Sequence, residues 1–218
     1  MSEIRECLPP DRHPRRPRIA LPKGAIDTHV HVFEPDYALS PARGYTPPHS
    51  TLADLTHLHA TLGIERVVFT QPSIYGIDNA AILDAMAKLN AKTPNRARSV
   101  VALDMNFTDK QLAALEASGV RGVRLNTDNK GGMPIELAQV PELAARIRPF
   151  RWHLEFLFPG KDILELMPVF TALEVPMSIA HFAYQPAAAG VGAPGFRALL
   201  ELARRGNTWI KISGANRV

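Results

Sequence analysis

Seven short apolar runs alternating with six helix-like stretches constrain this chain more than any other feature. The runs fall at 25–33, 66–71, 99–104, 119–125, 152–158, 176–182 and 209–213, and the helical patterns at 52–62, 79–90, 108–118, 137–147, 163–173 and 194–205. Ser50/Thr51, Asp78 and Thr108 stand where helix-capping side chains are wanted. A strand followed by a helix, repeated, builds right-handed crossovers and hence a parallel sheet. Val67-Val68-Phe69 is apolar on consecutive residues, as in strands covered on both faces. No Gly-x-Gly-x-x-Gly follows the first run, which argues against a dinucleotide-binding sheet. The pattern predicts an α/β fold of the TIM (β/α)8 barrel type. Such a barrel takes about 250 residues; this chain has 218 and stops five residues after the seventh run. The eighth strand is therefore expected to be missing. The expected division is a Pro/Arg-rich arm over residues 1–22 and a barrel domain over 23–218, incomplete at its C-terminal end.

Hydrophobic residues make up 46% of the chain and charged ones 21%, enough for a sizeable core. No apolar run reaches the roughly 20 residues of a membrane span, and the start has no apolar signal core. The single cysteine, Cys7, suits a reducing compartment, so a cytoplasmic location is expected. The net charge is +4, with Arg12, Arg15, Arg16 and Arg18 crowded in the arm. Without interleaved aromatics or a recognisable module, this excess does not predict a nucleic-acid partner. The arm is expected to lie extended over the body, and the basic balance suits an anionic small molecule. A parallel barrel lacking a strand leaves two edges that call for cover by a partner, a swapped segment or an oligomer.

Functional groups of such barrels gather at the C-terminal ends of the strands. On the first run, strand alternation puts Asp27, His29 and His31 on one face, opposite Ile26, Val30 and Val32. Two imidazoles so placed can hold a metal ion, polarise a carbonyl, or simply be hydrogen-bonded structural histidines. The loop that follows carries Arg43-Gly44-Tyr45-Thr46-Pro47-Pro48, and the second run ends near Ser73, a hydrogen-bond donor. On the fourth run Val123 and Leu125 face the helices, so Arg124 points into the mouth. There it takes a ligand carboxylate or pairs with Glu155 of the fifth run, because a buried unpaired guanidinium is costly. Lys130 on the next loop and Arg217 past the seventh run can join the same anion site, or be solvated. His181 ends the sixth run. His153 reads as structural, and His13, His49, His57 and His59 as surface or helix residues.

Asp27-x-His29-x-His31, His181 and the Tyr45-Thr-Pro-Pro loop together resemble the amidohydrolase superfamily, in its branch of pyrone-dicarboxylate lactonases and related lactone hydrolases and isomerases. Gly63-Ile-Glu-Arg-Val-Val-Phe-Thr-Gln-Pro-Ser73, Arg121-Gly-Val-Arg124-Leu-Asn126 and Trp209-Ile-Lys-Ile-Ser-Gly214 fit that branch. The resemblance implies hydrolysis of a carboxylate-bearing lactone or dicarboxylate. His29, His31 and His181 would polarise the carbonyl, and Tyr45, Ser73, Arg124, Lys130 and Arg217 would hold the substrate. It also implies an aspartate base on strand eight, which this chain lacks. His181-Phe-Ala-Tyr184-Gln-Pro departs from the His-x-Gly-Arg-Pro of the pyrone enzyme, and Leu157 stands where a tyrosine is expected. Many superfamily members hold metals through a lysine on the fourth strand, where Leu125 stands here. No obligatory cofactor is expected; if one Zn²⁺ is bound, His29, His31 and His181 would be its ligands. A lactone isomerase or decarboxylase of the same fold, or a truncated non-catalytic barrel, are the alternatives.

Overall fold

The computed structural model describes residues 4–128, 131 and 133–215. Strand β1 (Arg5–Glu6) lies in the arm, β2 (Ile26–Val30) opens the barrel wall, and β3 (Tyr45–Thr46) sits in the loop after it. Then follow α1 (Leu52–Leu62), β4 (Arg66–Thr70), α2 (Ala80–Lys92), β5 (Ala97–Val101), α3 (Asp109–Ser118) and β6 (Val120–Asn126). The last third holds α4 (Val140–Ile147), β7 (His153–Leu157), α5 (Ile163–Ala172), β8 (Met177–Ile179), α6 (Pro194–Arg204) and β9 (Thr208–Ile210).

Seven strands pair in parallel in the order β2-β4-β5-β6-β7-β8-β9, as expected of a barrel wall. Among the described residues no eighth strand lies between β9 and β2. The wall is nonetheless curled, because Lys211, one residue past β9, reaches His29 on β2. The barrel closes there through side chains instead of a ladder.

Local chemistry accounts for the helix ends. Thr51 and Thr108 each accept from the backbone three residues on, and Asp54 and Gln111 bond back, forming capping boxes. Gly63 and Gly119 end α1 and α3 in the left-handed region, where glycine carries no Cβ penalty. Asp78 accepts from the N–H of Ala80 at 3.0 Å, but the residue flanking α2 is Asn79. Its amide instead clamps both backbone groups of Ala102.

The sheet separates two environments. Val67, Phe69, Val123, Leu125, Leu154, Phe156, Met177 and Ile179 are buried in the main apolar core. Burying each such side chain contributes about 1.5–3 kcal/mol. Thr70, Gln71, Ser99, Arg124, Glu155 and Ser178 are buried as well, yet polar. Buried polar groups that are not needed for packing mark the lumen as the place of chemistry. In the β6–β7 register Gly122 lies beside His153 and Arg124 beside Glu155. A Cβ at Gly122 would stand 2.7 Å from the carbonyl oxygen of His153, so only glycine lets the two strands meet there.

Two expectations need correction. A register shift between Asp27 and Val30 breaks strict alternation along β2. Asp27 Oδ1 accepts from the His29 N–H at 3.1 Å, and its other carboxylate oxygen pairs with His59 of α1, also at 3.1 Å. His59 is correspondingly 1% exposed, on the inner side of the helix expected to carry it. The run at 176–182 is also shorter than it reads: β8 stops at Ile179, and His181 lies on a turn beyond it.

Candidate active site

His29, His31 and His181 converge at the C-terminal mouth of the half-barrel. The ring centroids of His29 and His31 are 5.0 Å apart, and those of His29 and His181 5.3 Å. His31 and His181 line a cavity of about 790 Å³ whose walls also include Ser73, Arg124, Asn126 and Tyr45, and His29, with His31, borders a second cavity of about 320 Å³. Lys130 and Arg217 lie outside the described residues.

The most consequential side chain went unremarked in the sequence. The ammonium of Lys211 lies 2.7 Å from His29 Nδ1 and pairs with the fully buried carboxylate of Glu155. An ammonium has only protons to offer, so His29 Nδ1 is the acceptor. Neutral His29 then carries its proton on Nε2, on the far side of the ring, where it serves as a donor. His29 Nδ1 is also 3.4 Å from Glu155 Oε1. Burial opposes the charge on Glu155, but Lys211 and Arg124 outweigh it and hold the carboxyl below the usual glutamate range. Burial in turn lowers the Lys211 ammonium from its ordinary value, against the pull of Glu155.

His31 is set the opposite way. Its Nδ1 lies 2.7 Å from the carbonyl oxygen of Thr70, which can only accept. Nδ1 therefore bears the proton and Nε2 the lone pair. Burial, then the neighbouring His29 and Arg124, lower its pKa well below the ordinary histidine value, so the ring is neutral near pH 7. Adjacent histidines thus present a donor and an acceptor. Alternation alone suggested two equivalent groups.

His181 is presented by an unusual backbone. His181, Phe182, Ala183 and Tyr184 have φ of 50°, 53°, 51° and 47°, four consecutive non-glycine residues in the left-handed region. Each costs roughly 1–2 kcal/mol, so the turn persists only because its surroundings determine it. The Phe182 N–H donates to Lys211 O, and the Gln185 amide donates to Gly160 O at 2.8 Å and Ala183 O at 3.1 Å. The turn stacks the Tyr184 ring on His181 at 5.7 Å and sets His181 Nδ1 2.9 Å from Ser213 Oγ.

Arg124 resolves its two alternatives in part. Its Nη1 donates to Gln71 O at 2.7 Å, and its Nε is 3.7 Å from Glu155 Oε1. The internal partner is present, and the same residue lines the cavity. Ser73, 4% exposed, opens a tight turn against which Gly131 packs so closely that no Cβ fits. Tyr45 is half-buried on β3. Asn126, two residues on from Arg124, is buried at the mouth and accepts from the Asp128 N–H.

Zn²⁺ wants several neutral or anionic donors converging on one point. Two of the three Nδ1 atoms face Lys211 and Thr70 O, and Lys211 and Arg124 add positive charge close by. Among the described residues no three His, Cys, Asp or Glu side chains form a group that could hold a metal ion. His31 Nε2 keeps its lone pair, and a backbone carbonyl on Nδ1 is a usual second partner of a metal-bound histidine, so His31 is the residue of the three best set to hold a metal ion.

A half-barrel with histidines on its first strand, a histidine after its sixth and a lumen holding Arg124 and Lys211 is an amidohydrolase-type barrel. The chain belongs to the amidohydrolase family, whose model matches residues 26–218. It is 34% identical over 209 residues to a 2-pyrone-4,6-dicarboxylate hydrolase of Comamonas testosteroni, covering 94% of this chain and 67% of that one. It is also 34% identical over 220 residues to a 4-sulfomuconolactone hydrolase of Rhizobium radiobacter, covering 97% and 72%. Among solved structures it is similar to a probable 2-pyrone-4,6-dicarboxylic acid hydrolase of Acinetobacter baumannii with citric acid bound, at TM-score 0.76 and 27% identity over 89% of this chain and 72% of that one. No helix among the described residues is long and apolar enough to cross a membrane.

Proposed function

We propose that this chain opens a carboxylate-bearing lactone by adding water to a carbonyl polarised at the histidine cluster. The observation that carries the reading is the pairing of a donor imidazole, His29, with an acceptor imidazole, His31, beside a cavity lined by Arg124 and Ser73. Arg124, Ser73 and Tyr45 hold the substrate carboxylate, with Lys130 and Arg217 assigned to the same task. A charged fork on a carboxylate gives both attraction and register.

His29 Nε2–H, with His181 beside it, donates to the carbonyl oxygen and stabilises the charge that develops when water adds. His31 Nε2, with its lone pair, takes the proton from that water. Collapse of the tetrahedral intermediate breaks the ring C–O bond, and the proton passes to the departing oxygen. Lys211 touches no substrate in this scheme; it is a positioning residue that keeps His29 in the donor tautomer. The relatives named as lactone hydrolases, and the citrate seated in a similar structure, support the substrate class.

The test is turnover of a panel of mono- and dicarboxylate lactones by the full chain, with and without chelator. Ring opening of dicarboxylate lactones, slowed at least about a hundredfold by His29→Asn and by His181→Asn, supports the reading. Full activity in both variants would overturn it.

A further inference from the structure

The N-terminal arm does more than cover the body. Arg5 and Glu6 run parallel to Tyr45 and Thr46, register partners residue for residue, and the Cys7 N–H donates to Thr46 O at 3.0 Å. Further along, Arg12 donates to His49 O at 2.7 Å and pairs with Asp54 at 2.5 Å. Two attachments, one at each end of residues 5–12, strap this segment across the mouth. Arg5, Cys7, Leu8 and Pro10 consequently form a wall of the same cavity that Arg124 and His181 line. Among the described residues, the Arg5 guanidinium has neither an ion pair nor a side-chain hydrogen bond. A cation in a cavity wall without a protein partner is free for an anionic ligand.

We propose that the strap is part of the substrate site, and that Arg5 binds a second anionic group of the substrate, from the wall that the strap supplies, while Arg124 binds the first. The assignment rests on the lactone reading above and narrows it to substrates with two anionic groups, each meeting its own guanidinium. The Arg12–Asp54 pair is the latch. Asp54 is well suited to it: the bond from Arg12, then those from Thr51, hold its carboxyl down at about 2, so the latch stays charged at any physiological pH.

Citrate binding to the full chain tests this without relying on turnover. Calorimetry should give an affinity for citrate at least tenfold above that for a monocarboxylate such as glycolate. Arg5→Gln and Arg12→Ala should each weaken citrate about tenfold and leave glycolate within twofold. Cys7 is the only cysteine in the chain, so its alkylation by neutral iodoacetamide reports on the strap directly. Citrate should slow that alkylation in the unaltered chain and not in Arg5→Gln. Citrate no tighter than glycolate, or unchanged citrate affinity in Arg5→Gln, would overturn the proposal. The two readings fail separately. A chain that opens no lactone but loses citrate through Arg5→Gln keeps the strap and sinks the hydrolase. A chain that opens dicarboxylate lactones with the same KM in Arg5→Gln does the reverse.

Discussion

Lys211 Nζ lies 2.7 Å from His29 Nδ1, joining the last strand of the sheet to the first across 182 residues of sequence. This contact bridges the open side of the barrel and sets the tautomer of His29. Glu155 beneath it is fully buried and depends on Lys211 for its closest ion pair.

Replacing Lys211 with Met keeps the aliphatic stem and removes the charge. Glu155 is then left with Arg124, whose Nε is 3.7 Å away. Breaking a buried pair by removing one partner costs about 3–5 kcal/mol, so the urea midpoint should fall sharply. Nitrogen NMR of the His29 ring supplies a second readout. Nδ1 should resonate as an acceptor in the unaltered chain and lose that signature in the variant.

His29 and His31 should fail differently. His29→Asn removes an oxyanion donor, which lowers kcat by roughly 10²–10³-fold without moving the pH profile. His31→Asn removes the proton acceptor and should abolish the acidic limb of kcat/KM. Identical pH profiles in the two variants would refute the division of labour.

Arg124→Lys keeps a positive charge but loses the planar fork, and a lysine cannot bond Gln71 O and a carboxylate in the same geometry. A charge-assisted hydrogen bond is worth about 1.5–3 kcal/mol. KM for a carboxylate-bearing lactone should therefore rise roughly 10- to 100-fold, with a smaller change in kcat, in steady-state kinetics.

Stability should depend on pH through His31 and His153. Burial lowers both from the ordinary histidine value of 6.5. Below that value the unfolded chain binds protons that the folded chain refuses. The unfolded state then holds more protons, and stability falls as pH drops below 6.5 toward the depressed folded values. Thermal melts from pH 7.5 to 5 should show this decline, and His31→Asn should flatten it in part, leaving the share of His153.

Gly122→Ala tests the strand packing alone. Its Cβ would meet the His153 carbonyl at 2.7 Å. Forced overpacking of this kind costs typically 1–3 kcal/mol, read as a lower denaturation midpoint.

Much of this molecule was legible from residue order. Each of the seven barrel strands and six helices overlaps the run that predicted it, though β8 ends at Ile179 and β5 begins two residues early, and Thr51 and Thr108 cap as their side-chain chemistry suggests. His29, His31, Ser73, Tyr45, Arg124 and His181 were recognisable because each sits at a strand end or on the loop that follows it. Other features were not. Asp27 pairs with His59 of α1, a contact across 32 residues that a period-two reading along one strand does not show. Lys211 looked like one polar residue in an alternating strand; its only sequence signal was an inward position on the last strand, opposite Glu155 in no obvious register.

Local preferences, which act over a few residues, determined the order of strands and helices, their caps and the strand ends that bear chemistry. The tertiary structure decided what those groups can do. The proton on His29 is placed by an ammonium 182 residues away, the proton on His31 by a carbonyl on the neighbouring strand, and the wall facing Arg124 by the N-terminal strap. Hydrogen-bond partners and buried charges are set by distance in space, and no periodicity along the chain encodes that distance.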